Sequence, residues 1–182
     1  MNFRDRNILI TDIETTGLDP KLQDMIEIGS IKVNQNLEEI ARFDAKISIQ
    51  HPETVSLKAL EINGYTPNKW KDAKSLKLVM EDFYQFAKEG ILSSWNITFE
   101  YNFIEESFNR SSLTNPMDYH RIDIPSLAWF ELTNLEKLSL DYAAKELGLP
   151  SEPKPHRAIT GAQYALDVLR ILRNKREQRK SA

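Results

Sequence analysis

The apolar run Ile8-Leu9-Ile10, passing into Thr11-Asp12, reads as a strand buried on both faces, and such strands belong at the centre of a sheet. Thr16-Gly17-Leu18-Asp19-Pro20 then breaks it with turn chemistry. Two more β-rich segments follow, Met25–Val33 and Glu39–Ser48, with Asn34-Gln35-Asn36 suited to a hairpin between them. In the second, Phe43, Ala45 and Ile47 alternate with Arg42, Asp44 and Lys46, as a half-buried strand requires. The period then changes. Leu76, Val79, Met80, Phe83, Phe86 and Ala87 predict a helix ended by Gly90. Ile91–Trp95 predicts another buried strand, Phe99–Phe108 a helix, Tyr119–Asp123 a short strand, and Ser139–Leu147 a helix stopped at Gly148. Ala158, Ala162, Ala165, Leu166, Leu169 and Leu172 form the stripe of a final helix. Strands first, then strands alternating with helices, predict an α/β fold in which a mixed sheet is covered by helices.

At 182 residues the chain suits one domain, expected over residues 1–182 with a core at 7–172 and a basic tail at 173–182. Cysteine is absent, which excludes a disulfide framework and a thiolate metal site. MNFRDRNILI lacks the roughly 7–15-residue apolar run of a signal peptide, and no stretch reaches the about eighteen apolar residues of a membrane span. A cytoplasmic protein without membrane contact is the simplest expectation. The net charge of −3 argues against coating nucleic acid through bulk positive charge. It leaves room for an enzyme that handles a chain end with metal ions supplying the positive charge.

The sharpest local feature is Asp12-Ile13-Glu14-Thr15-Thr16-Gly17. Side chains two apart on a strand share a face, so Asp12 and Glu14 project together where the strand gives way to the turn. Two close carboxylates repel each other and lose hydration, and a hard divalent cation, Mg²⁺ or Mn²⁺, relieves both effects. The competing account is a solvated strand end in which Thr15 and Thr16 are turn residues only. A phosphatase with an aspartyl nucleophile would want Asp at position 14 and a partner lysine, and neither is in place.

Two further segments matter. Trp95-Asn96-Ile97-Thr98-Phe99-Glu100 follows a buried strand and opens a helix, and His156-Arg157-Ala158-Ile159-Thr160-Gly161-Ala162 opens the last one. With DIETTGLDP, in that order, they resemble the three motifs of the DEDD-type 3′–5′ exonucleases. The histidine subclass is the one resembled, which includes the proofreading subunit of bacterial DNA polymerase III and the oligoribonucleases. MIEIGSIKV and ALEINGYTPNKW extend the similarity over roughly residues 7–172. The resemblance implies a ribonuclease-H-like fold and a two-metal mechanism, with Mg²⁺ or Mn²⁺ ions about 4 Å apart at the attacking and leaving oxygens. It implies that Asp12 bridges the ions, that Glu14 holds one, and that Glu100 stands where the family has its third acid, normally Asp. His156 would take a proton from, or orient, the attacking water. Thr15, Thr16, Gly17 and Leu18 would hold the terminal nucleotide, and Asn96 and Phe99 would shape the second motif. The product would be a nucleoside 5′-monophosphate from a single-stranded DNA or RNA 3′ end, and a polymerase or other protein partner is compatible with it.

This sequence departs from the family at two positions. Glu100 keeps the charge and moves it by one methylene, and a misplacement of about 1 Å can cost on the order of 10²-fold in rate. Gly161 stands where the family has its fourth acid, five residues after the histidine, and removes a ligand outright. Gln163 lies about 200° round the helix from it and Asp167 about 9 Å along it, so neither replaces it. Glycine inside a helix costs about 1 kcal/mol against alanine, so stability does not account for it. Relaxed function, a water-filled ligand position and an altered sequence remain open. A catalytically silent module that binds ends or a partner is therefore the alternative to an active exonuclease. His51 and His120 are expected at the surface, Trp95 and Trp129 in the core, and Asp123 in a structural role at a strand end. The five basic residues in Arg173–Lys180 suit a solvated helix end.

Overall fold

The computed structural model describes residues 2–181. Five strands form one sheet in the order β3-β2-β1-β4-β5. β1 (Ile8–Thr15), β2 (Met25–Val33) and β3 (Glu39–Lys46) form an antiparallel meander. β4 (Ile91–Ser94) runs parallel to β1, and β5 (Arg121–Asp123) parallel to β4. The helices are α1 (Leu57–Asn63), α2 (Leu76–Ala87), α3 (Ile97–Arg110), α4 (Ile124–Glu131), α5 (Leu140–Glu146) and α6 (Ala158–Ser181). The mixed sheet and its helices match the α/β expectation.

β1 is central, and its alternation decides what each face holds. Leu9 and Ile13 point into a cluster with Met80, Phe83, Phe103 and Phe108 from α2 and α3. Ile8 and Ile10 point the other way, under Ala162, Ala165, Leu166 and Leu169 of α6. Asp12 and Glu14 continue the second row, so the two carboxylates emerge on the α6 face.

On that face the helix comes unusually close. Gly29 is the cross-strand partner of Asp12, and a Cβ there would lie 2.2 Å from the Ile159 nitrogen and 2.4 Å from the Ala158 carbonyl carbon. One strand partner further along, Glu27 is fully buried and accepts from Arg157 Nε at 2.9 Å. The start of α6 is thus pinned to β2 by a missing side chain and by an ion pair whose acid is buried.

Several boundaries differ from the sequence reading. α3 begins at Ile97, β4 ends at Ser94, β5 begins at Arg121, and Ser139 caps α5 by accepting from the Tyr142 nitrogen. α1 and α4 carry too few periodic residues to be read from the letters. Gly148 ends α5 in the left-handed region as expected, but after α2 that conformation falls on Glu89, φ 58°. Gly90 is small for another reason, since a Cβ there would meet the Leu9 side chain at 2.7 Å. Trp129 is a correction: it is 69% exposed. The eight-residue α4 buries Ile124, Pro125 and Ala128, and position 129 lies off that stripe. Trp95 is partly buried against the α6-side cluster.

Gly29→Ala forces α6 off the sheet and is expected to cost about 1–3 kcal/mol, lowering Tm by roughly 3–10 °C. Calorimetry checks it, and a Tm unchanged to about 1 °C would mean that α6 does not rest on β2 in this way.

Candidate active site

The site lies at the carboxyl ends of the adjacent parallel strands β1 and β4, a position where open α/β sheets leave room for ligands. Asp12 and Glu14 arrive from β1. Glu100 arrives from the first turn of α3, directly after β4, where the helix N-terminus favours negative charge. Glu100 is buried, interacts with Asp12, and accepts a hydrogen bond from the Ser94 hydroxyl.

Burial dominates the titration of these groups, and neighbouring acids add to it at Asp12 and Glu14. Asp12 is pushed well above the usual carboxylate range, first by desolvation and then by Glu100, Glu14 and Glu152. Desolvation, Glu27 and Glu152 raise Glu14 to about 8, against a smaller opposing pull from Arg157. Desolvation raises Glu100 to about 7, although the bonds from Ser94 and the backbone oppose it. Among the described residues no group of three His, Asp or Glu side chains is placed to hold an ion outright. The donor set is nonetheless all carboxylate, and it is held where ionisation is opposed, so a hard divalent cation is the group that it fits.

The first turn is locked from within. Thr15 Oγ1 donates to the Gly17 carbonyl at 2.6 Å, and Thr16 Oγ1 accepts from the Asp24 nitrogen at 2.8 Å. The buried Asn63 of α1 donates to the Thr15 carbonyl at 3.1 Å. Leu18 stands 83% exposed at the tip of the turn. Asn96 is exposed and its side chain does not cap α3, while Phe99 packs on Phe103 at 4.9 Å between ring centres. Trp95, Asn96, Thr98, Asp123 and Leu138 line an adjoining cleft of about 510 Å³. Asp123 also caps α4 by accepting from the Ser126 nitrogen at 3.1 Å.

Gly161 faces Asp12 directly. A Cβ at position 161 would lie 2.3 Å from Asp12 Oδ2, so the Asp12 carboxylate itself occupies the space. Gln163 and Asp167 turn away as the helix geometry requires: Gln163 donates to Asp167 at 2.9 Å, and Asp167 pairs with Arg170 at 3.4 Å.

His156 sits just before α6, with Nδ1 3.3 Å from Glu152 Oε2. Glu152, Asn63 and the Glu27–Arg157 pair were not singled out in the sequence. Glu152 lies in an irregular proline-flanked segment, where no period marks it. Glu27 stands opposite Glu14 in the β1–β2 register, which a strand alignment reveals and a linear motif does not. His51 is more engaged than a surface histidine: its Nδ1 is 2.7 Å from the buried Asp24, which Arg110 also approaches at 3.0 Å. His120 is half exposed, as expected.

Comparison with known proteins follows this geometry. The Exonuclease family profile matches residues 9–169. A PolC-type DNA polymerase III of Thermotoga maritima is 30% identical over 169 residues, 91% of this chain and 12% of the polymerase. That of Streptococcus pneumoniae is 32% identical over 113 residues, 62% of this chain and 8% of the polymerase. The chain thus spans a small fraction of these relatives. Among solved structures, exonuclease I superposes with a TM-score of 0.82 at 13% identity, covering 96% of this chain and 42% of that one. E. coli exonuclease I in complex with a dT13 oligonucleotide gives 0.82 at 14%, covering 97% and 43%. A zinc-bound form of its single-stranded DNA complex gives 0.81 at 14%, covering 95% and 41%. At such identities the likeness is one of fold, and it is the ribonuclease-H-like exonuclease fold. With the family profile matched over most of its length, the chain belongs to the DEDD-type 3′–5′ exonuclease family.

Proposed function

We propose that this chain is a divalent-metal-dependent 3′–5′ exonuclease that releases nucleoside 5′-monophosphates from single-stranded DNA ends, with Asp12, Glu14 and Glu100 as its metal ligands. The observation that carries the reading is the convergence of these three carboxylates, two from β1 and one from the first turn of α3 after β4, in surroundings that oppose their ionisation. The DNA-bound exonuclease I structures support the choice of substrate class. A bound Mg²⁺ or Mn²⁺ would neutralise the carboxylates and polarise the scissile phosphate. The chain's own residues do the rest. His156 accepts the proton of the attacking water. The exposed Leu18 and the turn at Thr15, Thr16 and Gly17 seat the terminal nucleotide, Asn96 borders the cleft that receives the next one, and Phe99 shapes the second motif by packing on Phe103. The absent acid at position 161 lowers the activity. Gly161 and the lack of a ready-made ion cage favour one second reading, a silent module that binds ends.

Digestion of a 5′-labelled single-stranded oligonucleotide with Mn²⁺ or Mg²⁺ separates the two. The wild type is expected to give a ladder, and Asp12→Ala to lose at least the roughly 10–100-fold typical of disturbing a metal's outer partners. Gly161→Asp is expected to be faster than wild type, since Asp12 Oδ2 is the free end of a side chain and can swing aside. A ladder from Gly161→Asp alone would favour the silent module, and no ladder from any of the three would end the nuclease reading.

Acidity supplies another check. Glu14 and Glu100 titrate above their ordinary 4.5 in the folded state, so the folded chain binds more protons than the unfolded one. Stability without metal therefore falls as pH rises from about 4.5 to about 8. Metal binds the ionised acids, so Mn²⁺ is expected to raise Tm more at about pH 8 than at about pH 5.5. A Tm indifferent to Mn²⁺ at both values would remove the metal site.

A further inference from the structure

Glu152 has no place in the motifs, yet its side chain is only 12% exposed although it sits in the irregular segment between α5 and α6. The titratable groups that act on it or respond to it are Asp12 and Glu14 from β1, Asp141 from α5, Tyr164 from α6, and His156 from its own segment. Four of these five are acids or a phenol, and His156 is the base among them, 3.3 Å away through Nδ1. A carboxylate removed from water needs a donor, and His156 Nδ1 is placed to be it.

We propose that Glu152 is the positioning residue of His156: it holds the imidazole through Nδ1 and leaves Nε2 as the basic nitrogen. The chemistry follows from the two ring nitrogens. When a carboxylate fixes the proton on Nδ1, the lone pair resides on Nε2, and that atom can take a proton from water. This inference rests on the nuclease reading for its catalytic part and on the contact alone for its structural part.

The test has two readouts on the full chain. Long-range ¹H–¹⁵N NMR at about pH 8.5, where an ordinary imidazole is neutral, reports the tautomer of each of the three histidines. His156 is expected as the Nδ1–H tautomer in the wild type and as a mixture rich in Nε2–H in Glu152→Gln. His51 and His120 serve as unchanged references. With Mn²⁺ and a single-stranded oligonucleotide, Glu152→Gln is expected to lower kcat about tenfold, with KM within about twofold, and Glu152→Asp to recover part of it. In a His156→Ala background the Glu152→Gln change is expected to have little further effect, because a residue acting through another is not additive with it. A wild type already in the Nε2–H form overturns the proposal, as does an equal Glu152→Gln loss with and without His156. A tautomer switch in a chain that cuts nothing keeps the contact and sinks the nuclease reading, so the two failures are distinct.

Discussion

The structure turns on one close approach, the first turns of α6 against the paired residues Asp12 and Gly29 in the middle of the sheet. Helices ordinarily rest on a sheet through a layer of side chains, and here glycine on each side removes it. Gly29 admits the backbone of Ala158 and Ile159, and Gly161 admits the carboxylate of Asp12. Interiors pack at crystal-like density, so each absence is matched by a neighbour that fills it. The Glu27–Arg157 pair fixes the same turn from the side. His156, two residues before α6, is carried into place by the same contact.

The acids gather at that contact against their own electrostatics. Asp12, Glu14 and Glu100 are each drawn toward the protonated state by desolvation, and repulsion from neighbouring acids adds to it at Asp12 and Glu14. A fold under selection for stability alone would place apolar or paired groups there, since unpaired buried charge is among the most costly arrangements available. Hydrogen bonds recover part of the cost at Glu100, from Ser94 and from the helix N-terminus, and almost none at Asp12. The strain is therefore concentrated on the residue that faces Gly161. A site in which ionisation is opposed until a cation arrives is one in which metal binding, proton release and stability are a single linked process.

The sheet was legible because its centre is written in uninterrupted apolar letters. Ile8-Leu9-Ile10 and the Phe43–Ala45 alternation each permit one period, and the stripe of α6 permits one face. The acid-x-acid pair was legible for the same reason, since a strand period alone puts Asp12 and Glu14 together. What was hidden depends on tertiary contact. Trp129 looked like a core residue by composition, but a helix of eight residues has room for one buried stripe, and Ile124, Pro125 and Ala128 use it. Gly90 looked like a helix stop, whereas the left-handed turn falls on Glu89 and the glycine makes room for Leu9. Glu27, Asn63 and Glu152 carry no local pattern at all. Their partners lie 130, 48 and 4 positions away, and only the last is near enough to have been noticed.

Gly161 shows why position in a motif and role in a site must be argued separately. As a letter it is a lost ligand. In the folded chain it is the opening into which Asp12 leans, and a side chain there would compete with that carboxylate for space. Glycine at position 161 and the Asp12 carboxylate resting against the helix therefore go together. Seated there, Asp12 still feels Glu100 and Glu14, and Glu152 in the segment that also carries His156. The geometry of the remaining acids, more than their number, then decides how well this scaffold can gather a cation and a phosphate.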